Sequence, residues 1–372
     1  MMADVSTLET WVALNRVRGL TPRLAATLLE RFGDPEGIAR TPAAELERIP
    51  DIPPRARGDL ALLGAPGSRA GARREIDRAR ALGATVLTLP QDSYPRRLRE
   101  GVPDPPPVLY VRGSLVTGDE RAVAIVGARQ ATPYGLEVAR RLAHDLAALG
   151  CTIISGLALG IDAAAHRGAI EAGGRTIAVL GNGIDQVYPP SHHALAREVE
   201  RHGALLSEFP LGTGPQRHHF PIRNRLISGL SLMVVIVEAA EASGSLITAR
   251  MAQEQGRDVG AVPGPVTSPL SAGTHRLILD GARLVRGWVD VVEELPERYR
   301  PDPRLLRAGA EAQLDERARR ILAVLSPEAP RHLDVLAGEL RESAGGLLAD
   351  LLALELKKFV VALPGGHFLK RL

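Results

Sequence analysis

The chain reads as a doubly wound α/β protein with a mostly parallel sheet, and three observations lead there. From about residue 85, short runs of Val, Ile and Leu alternate with segments of helical period, the pattern of parallel strands joined by crossover helices. Directly behind several of these runs lie loops rich in Gly, Ser and Arg, where an open parallel sheet places its ligands. A length of 372 residues with 45% hydrophobic content is enough to bury a sizeable core spread over two or three domains.

Residues 1 to 80 read as short helices. Apolar spacing runs through Leu8, Trp11, Val12 and Leu14, breaks at Gly19-Leu20-Thr21-Pro22, and resumes from Ala25 to Phe32. Gly19 to Pro22 and Ile49 to Pro53 stand where a helix-hairpin-helix carries its phosphate-gripping turns, but the paired glycines of such turns are missing, which favours a packing domain of the SAM or helix-hairpin-helix kind. Strands are expected at 86–89, 108–111, 123–126, 152–155, 177–181, 204–207, 232–238 and 259–262. Helices are expected at 135–149, 161–173, 192–202, 223–229 and 246–256. After a Pro- and charge-rich stretch from Glu297 to Arg304, three short helices at 317–325, 333–340 and 346–356 precede two strands around Pro364-Gly365-Gly366, the order of a winged helix. The expected organisation is a helical domain over 1–80, the α/β domain over 81–296, a linker over 297–310 and a winged helix over 311–372. The third of these late helices carries no basic residue for a phosphate or a base edge, so protein contact is as good an expectation for it as DNA.

Composition narrows the function. Forty-six Lys and Arg against 43 Asp and Glu leave a formal charge of only +3, so any polyanion site must come from local clustering. One such cluster runs from His218 to Ser231, with Arg223 and Arg225 beside one of only five Phe residues, Phe220, and no acid; Arg217 immediately precedes it. An aromatic face can stack on a base while guanidinium groups hold the flanking phosphates, whichever base is present. Core packing of Phe220 is the competing reading. A single cysteine, Cys151, rules out internal disulfides, the first residues lack the basic start and apolar core of a signal peptide, and no stretch is long and apolar enough to span a membrane. A cytoplasmic protein is expected.

Three strand-end loops carry the remaining chemistry. Gly127-Ala128-Arg129 precedes an expected helix, so free amides, the helix dipole and a guanidinium can converge on a phosphate; a structural turn with a surface Arg explains it equally well. Ser155-Gly156 opens a loop reaching Gly160 and Asp162, and Ser243-Gly244-Ser245 to Thr248 leads into a helix with Ser245 near its cap. Neither 155–162 nor 181–186 forms the G-x-G-x-x-G fingerprint, and no P-loop exists, so no NAD, FAD or other cofactor is expected and ATPase chemistry is disfavoured. Asp162 and His166, four apart at the start of a helix, could in principle share a metal, as could His192 with His193 or His218 with His219, but an Asp capping the helix and bonded to a His one turn later is the better reading, and no Cys-x-x-Cys or His-Glu-x-x-His is present; no metal is expected. A nucleophilic Ser243 or Ser245 lacks a G-x-S-x-G elbow, so no catalytic residue is expected either.

Taken together, these segments resemble the bacterial DNA-processing protein A (DprA/Smf) family. Its motifs are matched over about 120 to 290 through Ile125-Val-Gly-Ala-Arg129, Ser155-Gly-Leu-Ala158, Gly160-Ile-Asp162, Tyr188-Pro189, Phe220-Pro221, Arg223-Asn-Arg225, Ile227-Ser-Gly-Leu-Ser231, Ser243-Gly-Ser245, Ala261-Val-Pro-Gly264 and Gly273-Thr274. The resemblance implies an extended Rossmann fold that binds single-stranded DNA, forms a homodimer and delivers the strand to the RecA recombinase during natural transformation. Carried over by position, Arg129, Ser155, Gly156, Arg217, Phe220, Arg223, Asn224, Arg225, Gly244, Ser245 and Thr248 form the strand-binding pocket. Single-strand binding protein is a further expected partner, as is duplex DNA at the winged helix. Departures from the family pattern stand at Ala128, where Ser is usual, at His275, where Asn is common, and at Pro190, where some members have Lys. The rival readings are an enzyme releasing the base from nucleoside monophosphates, whose Pro-Gly-Gly-x-Gly-Thr loop is absent here, and an adaptor working through its terminal domains.

Overall fold

The computed structural model describes residues 5–300, 314–356 and 359–370. Contacts divide the chain into two compact units, Met1–Pro301 and Asp302–Leu372.

The first unit opens with helices α1 (Val5–Asn15), α2 (Pro22–Phe32), α3 (Pro35–Arg40), α4 (Ala43–Glu47), α5 (Pro54–Ala61) and α6 (Pro66–Ala81). Then follow β1 (Ala84–Thr88), α7 (Arg96–Gly101), β2 (Val108–Gly113), β3 (Ala122–Val126), α8 (Pro133–Ala148), β4 (Thr152–Ser155), α9 (Ile161–Glu171) and β5 (Thr176–Val179). The unit closes with α10 (His193–His202), β6 (Gly203–Ser207), α11 (His219–Leu230), β7 (Met233–Ile236), α12 (Gly244–Glu254), β8 (Asp258–Ala261), α13 (Ala272–Leu279), β9 (Arg283–Leu284) and α14 (Trp288–Glu294).

Nine strands form one sheet in the order β1-β2-β6-β5-β4-β3-β7-β8-β9. From β6 to β9 the neighbours are parallel, and β3, β4, β5 and β7 are buried along their whole length, as strands covered on both faces must be. The antiparallel pairs lie at one edge, which keeps the sheet mostly parallel as expected. β1 pairs antiparallel with β2, the return through α7 and Pro103 to Pro107 setting Val108 opposite Thr88, and β2 also pairs antiparallel with β6. One apolar layer joins α1 to α6 with α9 and α10 against the sheet, through residues such as Trp11, Leu28, Ile76, Ala163 and Leu195. The other packs α7, α11 and α12 on the opposite face through Leu98, Leu226, Ile227, Ala249 and Ala252. Burial of this order, at about 1.5 to 3 kcal/mol for each fully covered large aliphatic side chain, is what holds helices this short in place.

Strand order reverses around β3: the chain goes from β3 to β4 on one side and enters β7 on the other. The loops after β3 and β7 therefore diverge, and the crevice between them is where doubly wound sheets take ligands.

The second unit consists of α15 (Glu316–Val324), β10 (Arg331–His332), α16 (Leu333–Leu340), α17 (Ala344–Leu356), β11 (Val360–Leu363) and β12 (His367–Lys370). It is a winged helix whose sheet has the order β10-β12-β11, around a core that includes Ile321, Leu336, Leu347, Leu351 and Phe368. The strand β10, two residues long, is too short to leave an alternation in the sequence. The expected linker runs from 301 outside the described residues.

Candidate nucleic-acid interface

Helix α11 decides which parts of the basic cluster act together. It begins at His219, not at Arg223 as expected, so Phe220 lies in its first turn. Pro221 reads as a break but falls where helical N–H groups have no partner to lose. At about 100° per residue, Phe220, Arg223, Asn224 and Ile227 share one face, while Arg225 stands about 200° round from Arg223. All four residues of that face line a cleft of about 610 Å³ at the carboxyl ends of β3 and β7.

Arg129, from the loop after β3, projects into the cleft with its guanidinium carbon 5.1 Å from the centroid of the Phe220 ring, a cation–π contact. The ring packs on the backbone at Gly181, where an added Cβ would stand 2.8 Å from it. Tyr188 meets the same ring at 5.7 Å and 41° and is itself 41% exposed, so it presents the more open aromatic face. Sequence reasoning missed Tyr188 as a site residue; the Tyr188-Pro189 motif marked it, but only folding brings it beside Phe220.

Arg223 forms the floor. It is 3% exposed, and its Nη1 donates to the carbonyls of Gly156, at 2.8 Å, and Val179, while Nε donates to Asn224 Oδ1 at 3.1 Å. Nη2 makes no hydrogen bond among the described residues, and the residue lines the cleft. Burial lowers its pKa to about 10, with the neighbouring Asp162 carboxylate opposing and Arg129 adding to the fall; it remains a cation at neutral pH. Gly156 accommodates this clamp because a Cβ there would lie 2.5 Å from the guanidinium.

Two carboxylates occupy anion seats of this crevice. Asp162 Oδ2 accepts the amides of Gly156 at 3.0 Å and Ala158 at 3.3 Å, filling the loop after β4 from within, and burial raises its pKa against the pull of Arg223. Glu238, buried at the end of β7, accepts the amide of Thr132 at 2.9 Å and its hydroxyl at 2.5 Å beside the first turn of α8. His166 pairs through Nδ1 with Thr176 Oγ1 at 2.7 Å rather than with Asp162, and burial lowers its pKa to about 3. The start of α12 stays open. Ser243, not Ser245, caps it, its Oγ accepting the Ser245 amide at 3.3 Å, and Gly244 is exposed with its amide unpartnered among the described residues.

Of the expected site residues, the cleft gathers Arg129, Arg217, Phe220, Arg223, Asn224, Gly244, Ser245 and Thr248. Ser155 and Gly156 are not in its wall. Ser155 is fully buried, its hydroxyl donating to the Ile125 carbonyl at 2.7 Å, and Gly156 is taken up by Asp162 and Arg223. Arg225 lies on the far side of α11, 5% exposed, bonded through Nη2 to Glu208 at 2.6 Å with Asp104 at 3.3 Å from Nε. Helix phase and this buried pair remove it from the pocket assigned to it by its place in the motif.

With this geometry in hand, comparison with known proteins is specific. A model of the DNA recombination-mediator protein A family matches residues 85–296, and one of the DprA winged helix domain matches 307–366. The chain is 44% identical to DNA processing protein DprA of Bacillus subtilis over 226 residues, 60% of this chain and 76% of that protein. It is 42% identical to protein Smf of Escherichia coli over 294 residues, 75% of this chain and 76% of the other. The X-ray structure of DNA processing protein A from Streptococcus pneumoniae superposes with a TM-score of 0.61 at 32% identity, covering 80% of this chain and 99% of that one. DNA processing protein A from Helicobacter pylori, solved for its single-stranded DNA binding mode, gives a TM-score of 0.51 at 30% identity over 57% of this chain and 97% of that one. The chain belongs to the DNA recombination-mediator protein A (DprA/Smf) family.

Proposed function

We propose that the cleft binds single-stranded DNA with little base preference and that the protein hands the strand to a RecA-type recombinase, acting as a homodimer. Bases stack on Tyr188 and Phe220, while phosphates meet Arg129, Arg217, the free Nη2 of Arg223, Asn224 and the open first turn of α12. Stacking and charge recognise what every nucleotide shares, so sequence preference is slight. Two pockets in a dimer holding one strand add avidity without any new contact.

The observation that carries this reading is the occupancy of the crevice. Asp162 and Glu238 satisfy the loop after β4 and the cap of α8 from inside the protein, leaving a cationic wall with an aromatic pair at its rim. Such a wall suits a strand running across the crevice better than a mononucleotide sunk into it. The single-strand binding mode of the Helicobacter pylori relative supports the same choice.

Fluorescence titration of labelled oligo(dT) tests it: Phe220→Ala and Arg129→Ala should each weaken binding, and unchanged affinity in both would refute the cleft as the site. Release of base from AMP by the native protein would show instead that the crevice is catalytic.

A further inference from the structure

Helix α6 belongs to the helical layer, yet two of its side chains tie it to the segments that lead to Tyr188 and Arg217 of the cleft. Glu75, buried, accepts the amide of Leu211 at 3.0 Å, and Arg78 reaches Asp185 at 3.4 Å. Asp185 in turn accepts the Gly212 amide through both oxygens at 3.0 Å, and the Gly183 amide donates to the Thr213 carbonyl at 2.9 Å. The segment leading to Tyr188 and the one leading to Arg217 therefore lie side by side, and α6 borders both. Asp185 precedes Tyr188 by three residues, at most about 10 Å of extended chain.

Along α6 the helical period puts Arg74 and Arg78 on one exposed edge, next to the Glu75 contact. Arg73 and Arg80 fall on the other edge, where Arg73 pairs with Glu9 of α1 at 2.6 Å. Arg74 makes no ion pair among the described residues. The Arg78 side chain is 62% exposed, and its partner Asp185, 12% exposed, is already bonded to the Gly212 amide; the exposed carboxylate of α6, Asp77, lies between the two edges and reaches Arg80 at 3.9 Å.

We infer that the α6 edge is a second phosphate-binding segment. A strand leaving the cleft past Tyr188 crosses the Asp185–Gly212 contact, and Arg74 and Arg78 hold the phosphodiesters that follow. The inference rests on the cleft being the single-strand site, and its ligand is the sugar-phosphate backbone. The helical layer thereby lengthens the footprint instead of serving only to cover the sheet.

The test compares oligo(dT) of about six nucleotides, enough for the cleft alone, with oligo(dT) of about twenty, using full-length protein and fluorescence anisotropy. Arg74→Glu should weaken the longer oligonucleotide roughly 5- to 10-fold and leave the shorter one unchanged. Arg74→Ala should lower the slope of log affinity against log salt for the longer one by about 0.7, the value of one single-strand phosphate contact. Arg80→Glu, the same charge change on the opposite edge, should affect neither. Equal losses for Arg74→Glu and Arg80→Glu would reduce the effect to overall charge, and equal losses at both lengths would place Arg74 in the cleft's own field; either result overturns the inference. Arg129→Ala is the control on the premise. If it and Phe220→Ala both weaken neither length, the cleft reading fails and this one with it, whereas Arg129→Ala weakening both while Arg74→Glu weakens neither overturns the α6 segment alone.

Discussion

Arg223 and Arg225 sit two positions apart on α11, are exposed to 3% and 5%, and face opposite sides of the helix. Arg223 bonds the backbone carbonyls of Gly156 and Val179 and lines the cleft. Arg225 meets Glu208 and Asp104 within the protein. A run of basic residues is thus not one basic patch: the helix period splits Arg-Asn-Arg into a half that lines the cleft beside Phe220 and a half paired inside the protein.

The contrast can be broken most directly at Arg225. Arg225→Ala leaves the Glu208 carboxylate buried and unpaired, so urea denaturation should show a loss of about 3 to 5 kcal/mol, with the salt slope of DNA binding unchanged in the folded protein. A stable Arg225→Ala protein that has lost single-strand affinity would put Arg225 back in the site. On the other face, Phe220→Ala should cost about 1 to 3 kcal/mol of single-strand affinity in a fluorescence titration, and Tyr188→Ala a loss in the same range. Equal affinity of the Tyr188→Ala and native proteins would confine stacking to Phe220. Arg129→Ala should reduce the salt slope by about 0.7, and an unchanged slope would assign Arg129 to holding the Phe220 ring alone. The smallest effect concerns the buried ring behind the cleft. With its pKa lowered to about 3, His166 should stay neutral in an NMR titration down to about pH 4. The sign follows from that depression: the unfolded imidazole takes up its proton near pH 6.5 and the folded one does not, so this residue withdraws stability as the pH falls below about 6.5. Protonation of the His166 ring near pH 6 would show that water reaches it.

Much of this was legible in the sequence for identifiable reasons. Strands such as 123–126 and 152–155 stand out because strands buried on both faces are continuous apolar runs, and the loops behind them carry their glycines wherever the backbone must pass close to another group. Phe220 and Arg223, which both line the cleft, stand out in the sequence because aromatic and cationic residues share a window without an acid. Arg225 was misplaced because helix phase depends on where the helix starts, and Pro221 disguises that start. Tyr188 escaped because its proximity to Phe220 is made by two segments far apart in the chain. The inward turn of Asp162 and Glu238 was equally hidden, since a carboxylate that caps a loop and one that faces solvent look alike in a string of letters. Two-residue strands such as β9 and β10 carry no period at all.

Photo-crosslinking of a labelled oligo(dT) to the full-length protein, followed by peptide mapping, tests the division of α11 most directly. Adducts should form on Tyr188 and Phe220, be lost on competition with unlabelled strand and persist in Arg225→Ala. Adducts confined to the winged helix, with none on Tyr188 or Phe220, would contradict it.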